Sequence, residues 1–238
     1  MVPLNEKIRL IQSQLILGLE ASGNMASAAV REKGVITGYA EHKARYGHTE
    51  TLITLVQKAL DAAECSFGHP TMIAAGCGPG SFTGIRVCLA AASGFVIAHK
   101  CSEAGVNGLA ALCFWASGVT GEADAQYLGL VDTRRASWFV QLYDANGSAI
   151  SPCAEHTSET IGAWLKSYRN QTSLFITGNL DSRAQNNLVA HGTVIPHLLD
   201  ARDIALFAEQ SAVDDSLRIT PFLPLYVNPA RLGPQKKI

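Results

Sequence analysis

The sequence predicts an α/β protein made of two tandem units, each a mixed β-sheet with helices on its faces. Three observations carry this. Short apolar runs joined by turn signals open each half. Helical stretches then alternate with further strands. The 238 residues suit one large domain or two small ones sharing a core.

The elements follow in order. Leu15–Leu19 is an apolar run of buried-strand type, and Glu20-Ala-Ser-Gly-Asn24 is turn-rich. Ala26–Val30 and Val35–Tyr39 flank Arg31-Glu-Lys-Gly34, which reads as a hairpin with Gly34 in its turn. The helix that follows carries Leu52, Leu55, Val56, Ala59, Leu60 and Ala63 as an amphipathic stripe, and Ile53 widens its apolar surface. Met72–Ala75 is a strand running into the glycine-rich stretch Gly76–Gly84, and residues 82–98 read as a helix with Ser81 as N-cap. In the second half Tyr127–Val131 and Trp138–Tyr143 pair around Asp132–Arg135, and Ala145-Asn-Gly-Ser148 is a turn. Ile161–Tyr168 and Ile204–Val213 read as helices, Leu174–Thr177 as a strand, and Pro221–Pro229 as an extended tail. The boundary between the units falls near Ala104–Asn107, and the last helix returns to the first unit.

Composition narrows the function. Charged residues make up 16% of the chain, against about 25% in an ordinary globular protein, which favours a surface covered by a partner. The formal net charge of −1 argues against gripping nucleic acid through the chain's own field. Six cysteines form no C-x-x-C pair and read as buried reduced thiols. The first 13 residues carry Glu6, Lys7 and Arg9, unlike a secretory leader, and no stretch reads as a membrane span of roughly 18–20 apolar residues. The expected location is the cytoplasm.

The candidate chemistry centres on Gly78-Pro-Gly-Ser-Phe-Thr-Gly84, between a strand and a helix. Backbone N–H groups at such a turn can hold an anion, and close packing is the competing use of the glycines. No lysine follows Gly84, so this is not a P-loop. Thr83 stands where the dinucleotide fingerprint needs its third glycine, although Glu103 lies at a suitable distance for a ribose-binding acid. Ser81 is not in a G-x-S-x-G elbow. Glu20 and Asp132 both follow apolar strands, where acids can hold magnesium through water or simply shape turns. No two histidines are spaced i, i+4, so no helix offers a two-histidine metal face. Ala90, Gly94 and Ala98 form a stripe of small residues, and an interior helical glycine needs a close neighbour, within the chain or outside it.

The stretch Gly78-Pro-Gly-Ser-Phe-Thr-Gly-Ile-Arg86 resembles the signature of the TsaB family. Ile-Leu-Gly-Leu-Glu-Ala-Ser (16–22), Arg45-Tyr-Gly-His-Thr-Glu50, Val131-Asp-Thr-Arg134 and Pro224-Leu-Tyr-Val227 are similar to further family segments. The resemblance implies an actin-like (ASKHA) fold of two ribonuclease-H-like subdomains, 15–104 with 204–230 and 105–203, after an extension at 1–14. It implies a non-catalytic activating subunit of the tRNA threonylcarbamoyladenosine synthase complex. The partners would be a TsaD-type catalytic paralogue and a TsaE-type ATPase, or a second copy of the chain, with tRNA reached through the complex and no membrane involved. The partner surface would lie on the first two helices, at His48, Leu52, Leu55, Val56, Arg86, Ala90, Gly94 and Ala98. The paralogue's His-x-x-x-His metal pair corresponds here to His48 and Leu52, so no metal site is expected. No cofactor of its own is implied, with ATP or ADP at most within the complex. Phosphate or nucleotide contacts would fall on Glu20, Ser22, Gly78, Gly80, Ser81 and Asp132, with Glu20 in place of the usual aspartate. A stand-alone ASKHA ATPase or kinase and a dinucleotide-dependent oxidoreductase are the rival readings.

Overall fold

The computed structural model describes residues 14–43, 51–214 and 217–228. The opening meander forms as expected. β1 (Leu15–Glu20), β2 (Met25–Glu32) and β3 (Val35–Lys43) pair antiparallel in sequence. β4 (Met72–Gly76) joins β1 in parallel, and β5 (Ser102–Val106) joins β4, giving the order β3-β2-β1-β4-β5. Between them lie α1 (Leu52–Ala62) and α2 (Phe82–His99). After α3 (Gly108–Thr120), β6 (Gln126–Asp132), β7 (Trp138–Asp144), β8 (Ala154–His156), β9 (Leu174–Gly178) and β10 (Thr193–Pro196) form a second sheet ordered β10-β9-β6-β7-β8. The second sheet repeats the plan of the first: three antiparallel strands, then two parallel strands added beside the first of them. α4 (Ile161–Tyr168) and α5 (Ser182–Leu188) lie within this second unit, and α6 (Ala201–Ser211) closes the helices.

β1 is apolar from Leu15 to Leu19 because both faces of the first sheet are covered. Leu17 and Leu19 pack with α1 and α2, while Ile16 packs with α3 and α6. α6 is started by a capping box between Asp200 and Asp203, and Ala201 N donates to Ser27 Oγ at 2.9 Å. It lies so close to β1 that a Cβ on Gly18 would meet the Ala201 carbonyl oxygen at 2.4 Å. The last helix therefore returns to the first unit, beginning at Ala201 rather than Ile204. The expected division at Ala104 falls inside β5, which closes the first sheet at Val106.

α3, β5, β8, α5 and β10 were not among the expected elements. α3 is the informative case. Gly108 to Cys113 and Ala116 are buried, against β6 and α6 at the junction of the units. A helix apolar on nearly every side shows no amphipathic stripe. α2 also corrects an expectation, since its 18 residues are long and apolar enough to cross a membrane by composition. Small and aliphatic residues give it that character, and Ile85, Cys88, Leu89 and Ala92 join the core of the first unit. The six cysteines are free, with Cys77, Cys88 and Cys113 buried and Cys65, Cys101 and Cys153 partly buried.

α1 seats against β3 through Gly38, where a Cβ would come within 1.9 Å of the Ala59 carbonyl oxygen. Gly38→Ala is expected to cost about 1–3 kcal/mol by forcing the helix outward. A urea titration checks this through a lowered midpoint at unchanged slope.

Candidate functional site: the glycine-rich turn, the cleft and the outer face of α2

The glycines after β4 serve contact between backbones. Gly78 takes φ +98°, a region open to glycine. A Cβ on Gly80 would meet the Ser22 carbonyl oxygen at 2.4 Å, and one on Gly84 would meet the Ala21 carbonyl oxygen at 2.0 Å. Ser81 N donates to that Ser22 oxygen at 2.7 Å, and Gly108 N donates to the Gly78 carbonyl at 2.8 Å. Ser81 caps α2 as expected, its Oγ accepting from Gly84 N at 3.2 Å. The β1–β2 loop thus packs directly against this turn. Gly80, Ser81 and Gly84 form a packing joint between the two loops.

Glu20, Ser22 and Asp132 do converge, on a cleft between the units, with Asn24, Leu112, Arg134 and Asn179 also in its wall. It continues into a 700 Å³ cavity bordered by Arg134, Arg135, Trp138 and Asp181. Asp132 Oδ1 accepts from Arg134 N at 2.7 Å, and the Arg134 side chain crosses to the other unit, its Nη2 donating to the Gly23 carbonyl at 2.8 Å.

Glu20 is 1% exposed. Its Oε1 accepts from Ser22 N at 2.5 Å. Its Oε2 has no hydrogen-bond partner among the described residues and lies over Gly76, where a Cβ would come within 1.8 Å of it. Burial pushes the carboxyl up to about 7, opposed in part by its contact with Ser22. The carboxyl thus borders the cleft while one of its oxygens lies over β4.

The two first-unit helices present different faces. Arg86, Ala90, Gly94 and Ala98 of α2 are all exposed, and a Cβ on Gly94 would meet nothing within 4 Å. Ile97 beside them is 79% exposed. Leu52, Leu55 and Val56 of α1 are instead buried in the chain's own core, because the amphipathic stripe faces the sheet. Their expected place in a partner surface is thereby corrected: the outward side of α1 carries Ile53, Thr54, Gln57 and Lys58. His48 lies outside the described residues.

Several site residues escaped the sequence reading. Arg134 lies in the loop after β6, and only the fold brings it to Gly23. Phe82 and Tyr226 stack with ring centroids 5.2 Å apart, over 140 positions of chain. Gly76 matters for what rests on it, and no local pattern reveals that.

The model of the family described as TsaD, tRNA N6-adenosine threonylcarbamoyltransferase, matches residues 29–233. The tRNA threonylcarbamoyladenosine biosynthesis protein TsaB of Escherichia coli (strain K12) is 28% identical over 134 residues, which are 56% of this chain and 57% of that protein. Its counterpart in Buchnera aphidicola subsp. Schizaphis graminum (strain Sg) is 30% identical over 100 residues, 42% of this chain and 47% of that protein. The chain spans about half the length of the curated relatives it matches. Among solved structures, YeaZ from Pseudomonas aeruginosa superposes with a TM-score of 0.71 at 21% identity, covering 90% of this chain and 99% of that one. The ethanolamine utilization protein EutJ from Carboxydothermus hydrogenoformans does so with 0.55 at 10% identity, covering 81% and 89%. The fold is the actin-like one.

The Glu20 environment has a pH consequence. An acid whose folded pKa exceeds its unfolded one holds its proton more tightly when folded. Its contribution is complete below 4.5 and is lost as pH rises from there through about 7. Glu20→Gln, which keeps the shape without the charge, is expected to exceed the parent by about 1–3 kcal/mol at pH 8.5 and to approach it near pH 5. Urea midpoints at the two pH values check this, and a parent-to-variant gap that does not widen with pH contradicts it.

Proposed function

Since the chain belongs to the TsaD-like family, on its TsaB/YeaZ branch, we propose that it is a non-catalytic activating subunit of the complex that makes threonylcarbamoyladenosine in tRNA. It binds a TsaD-type paralogue that carries the chemistry, with a TsaE-type ATPase completing the set. The threonylcarbamoyl group is transferred to the adenosine beside the anticodon. The tRNA is reached through the complex, in keeping with the net charge of −1.

The observation that carries this reading is the outer face of α2. A helix with Ala90, Gly94, Ala98 and Ile97 open to water lacks the close neighbour that would justify its small side chains. A second helix laid along it would supply that neighbour and bury Ile97. Leu52 fits the non-catalytic role. It stands where the resemblance puts the second histidine of the paralogue's metal pair, and it is an apolar side chain 1% exposed in the core. The reading gives the chain no cofactor of its own, with ATP or ADP at most within the complex.

Gly94→Leu tests the surface directly. The space around Gly94 is open, so the variant is expected to fold with a helix more stable by about 0.5–1 kcal/mol. Its binding to the paralogue is expected to weaken by about tenfold or more, because a side chain then fills the helix–helix contact. Calorimetric titration of the two purified chains, with thermal melts as the folding control, measures both. Wild-type affinity in the variant contradicts the proposed surface, and robust ATP turnover by the pure chain favours the stand-alone ATPase instead.

A further inference from the structure

At the start of the outer α2 face lies a small cluster assembled from two distant parts of the chain. The Arg86 guanidinium sits 3.7 Å from the centroid of the Phe82 ring, one turn earlier on the helix. Its Nε donates to the Tyr226 hydroxyl at 3.0 Å. The rings of Phe82 and Tyr226 stack at 5.2 Å with an interplanar angle of 28°, and each is 42% exposed. The C-terminal strap that carries Tyr226 is itself fixed. Thr220 and Gly105 exchange backbone hydrogen bonds of 2.9 and 2.7 Å, and Leu225 N donates to the Cys77 carbonyl at 2.8 Å. Farther along, the Asn228 amide donates to Glu155 in the second unit.

The cation is therefore pinned. One face rests on Phe82 and Nε is taken by Tyr226, while no carboxylate among the described residues pairs with Arg86. A guanidinium held in place has little conformational entropy left to lose on binding, and its planar fork matches a carboxylate. From this geometry we infer that Arg86 is the charged anchor of the α2 face, and that its occupant is an acidic side chain of the catalytic paralogue rather than a second copy of this chain. The reason lies in α2 itself. From Phe82 to His99 it carries no acidic residue, and Arg86 is its only full charge. A second copy joined helix to helix through this face would offer Arg86 no carboxylate from its α2. The one acid of α1, Asp61, is engaged with Gln57 Nε2 at 2.6 Å. This inference rests on the proposed function, since it assigns the occupant of the same surface.

The test measures affinity for the purified paralogue and, separately, self-association, at low and high NaCl, for the full chain and for two variants. Arg86→Gln removes the charge and keeps a polar stem. Tyr226→Phe keeps the ring stack and removes the hydroxyl that positions Nε. Arg86→Gln is expected to weaken paralogue binding by about tenfold or more and to flatten its salt dependence, while self-association holds or strengthens. Tyr226→Phe, as a positioning change, is expected to weaken binding by about threefold while keeping the salt dependence of the parent. Paralogue binding by Arg86→Gln at wild-type strength and salt dependence overturns the inference, as does an equal loss in self-association. If the unaltered chain fails to bind the paralogue at all, the proposed function falls first. Binding by the parent with indifference to Arg86 removes this inference alone.

Discussion

The structure depends on one interlock, between the loop after β1 and the turn after β4. Ser81 N bonds the Ser22 carbonyl, and the chain approaches Ala21 and Ser22 so closely that only glycine fits at positions 80 and 84. Beneath it, the Glu20 carboxyl lies over Gly76. Two parallel neighbours, β1 and β4, are thereby tied at the ends where their connections leave the sheet. The same contacts fix where α2 begins and in which direction it runs. The glycines of the turn thereby hold the start of a helix.

That use of the turn explains the division of labour among the helices. α1 gives its apolar stripe to the sheet and turns polar groups outward. α2 gives Ile85, Cys88, Leu89 and Ala92 to the core and leaves its small side chains and Arg86 outside. α3 and α6 are absorbed at the junction of the units, α3 lying against β6 and α6. α2 therefore combines length, apolar character and exposure in a way the other helices do not. The cleft is held across by Arg134 on the Gly23 carbonyl, so the two units are joined at the mouth as well as through α3.

Much of this was legible in the sequence, for physical reasons. The meander β1–β3 showed itself because hairpin turns carry local chemistry, with Gly34 at φ +83°. Ser81 announced its cap, its Oγ accepting from Gly84 N. What stayed hidden had no local signature. α3 lost its periodicity through burial on nearly all sides, and β5 is a short run, Ser-Glu-Ala-Gly-Val, whose strand character comes from lying beside β4. The stripe of α1 was visible, but periodicity alone does not say whether a stripe faces a sheet or a partner, and Leu52, Leu55 and Val56 face the sheet. The Phe82–Arg86–Tyr226 cluster needed the strap folded back across the whole chain.

The central claim is that this chain contributes a surface and no chemistry. Its most direct test is reconstitution of threonylcarbamoyladenosine formation on unmodified tRNA from the purified paralogue and ATPase, with and without this chain. The account predicts modification only when the chain is present, retained when the cleft is altered by Asp132→Asn. Full modification without the chain, or its loss with Asp132→Asn while the complex still assembles, would contradict it.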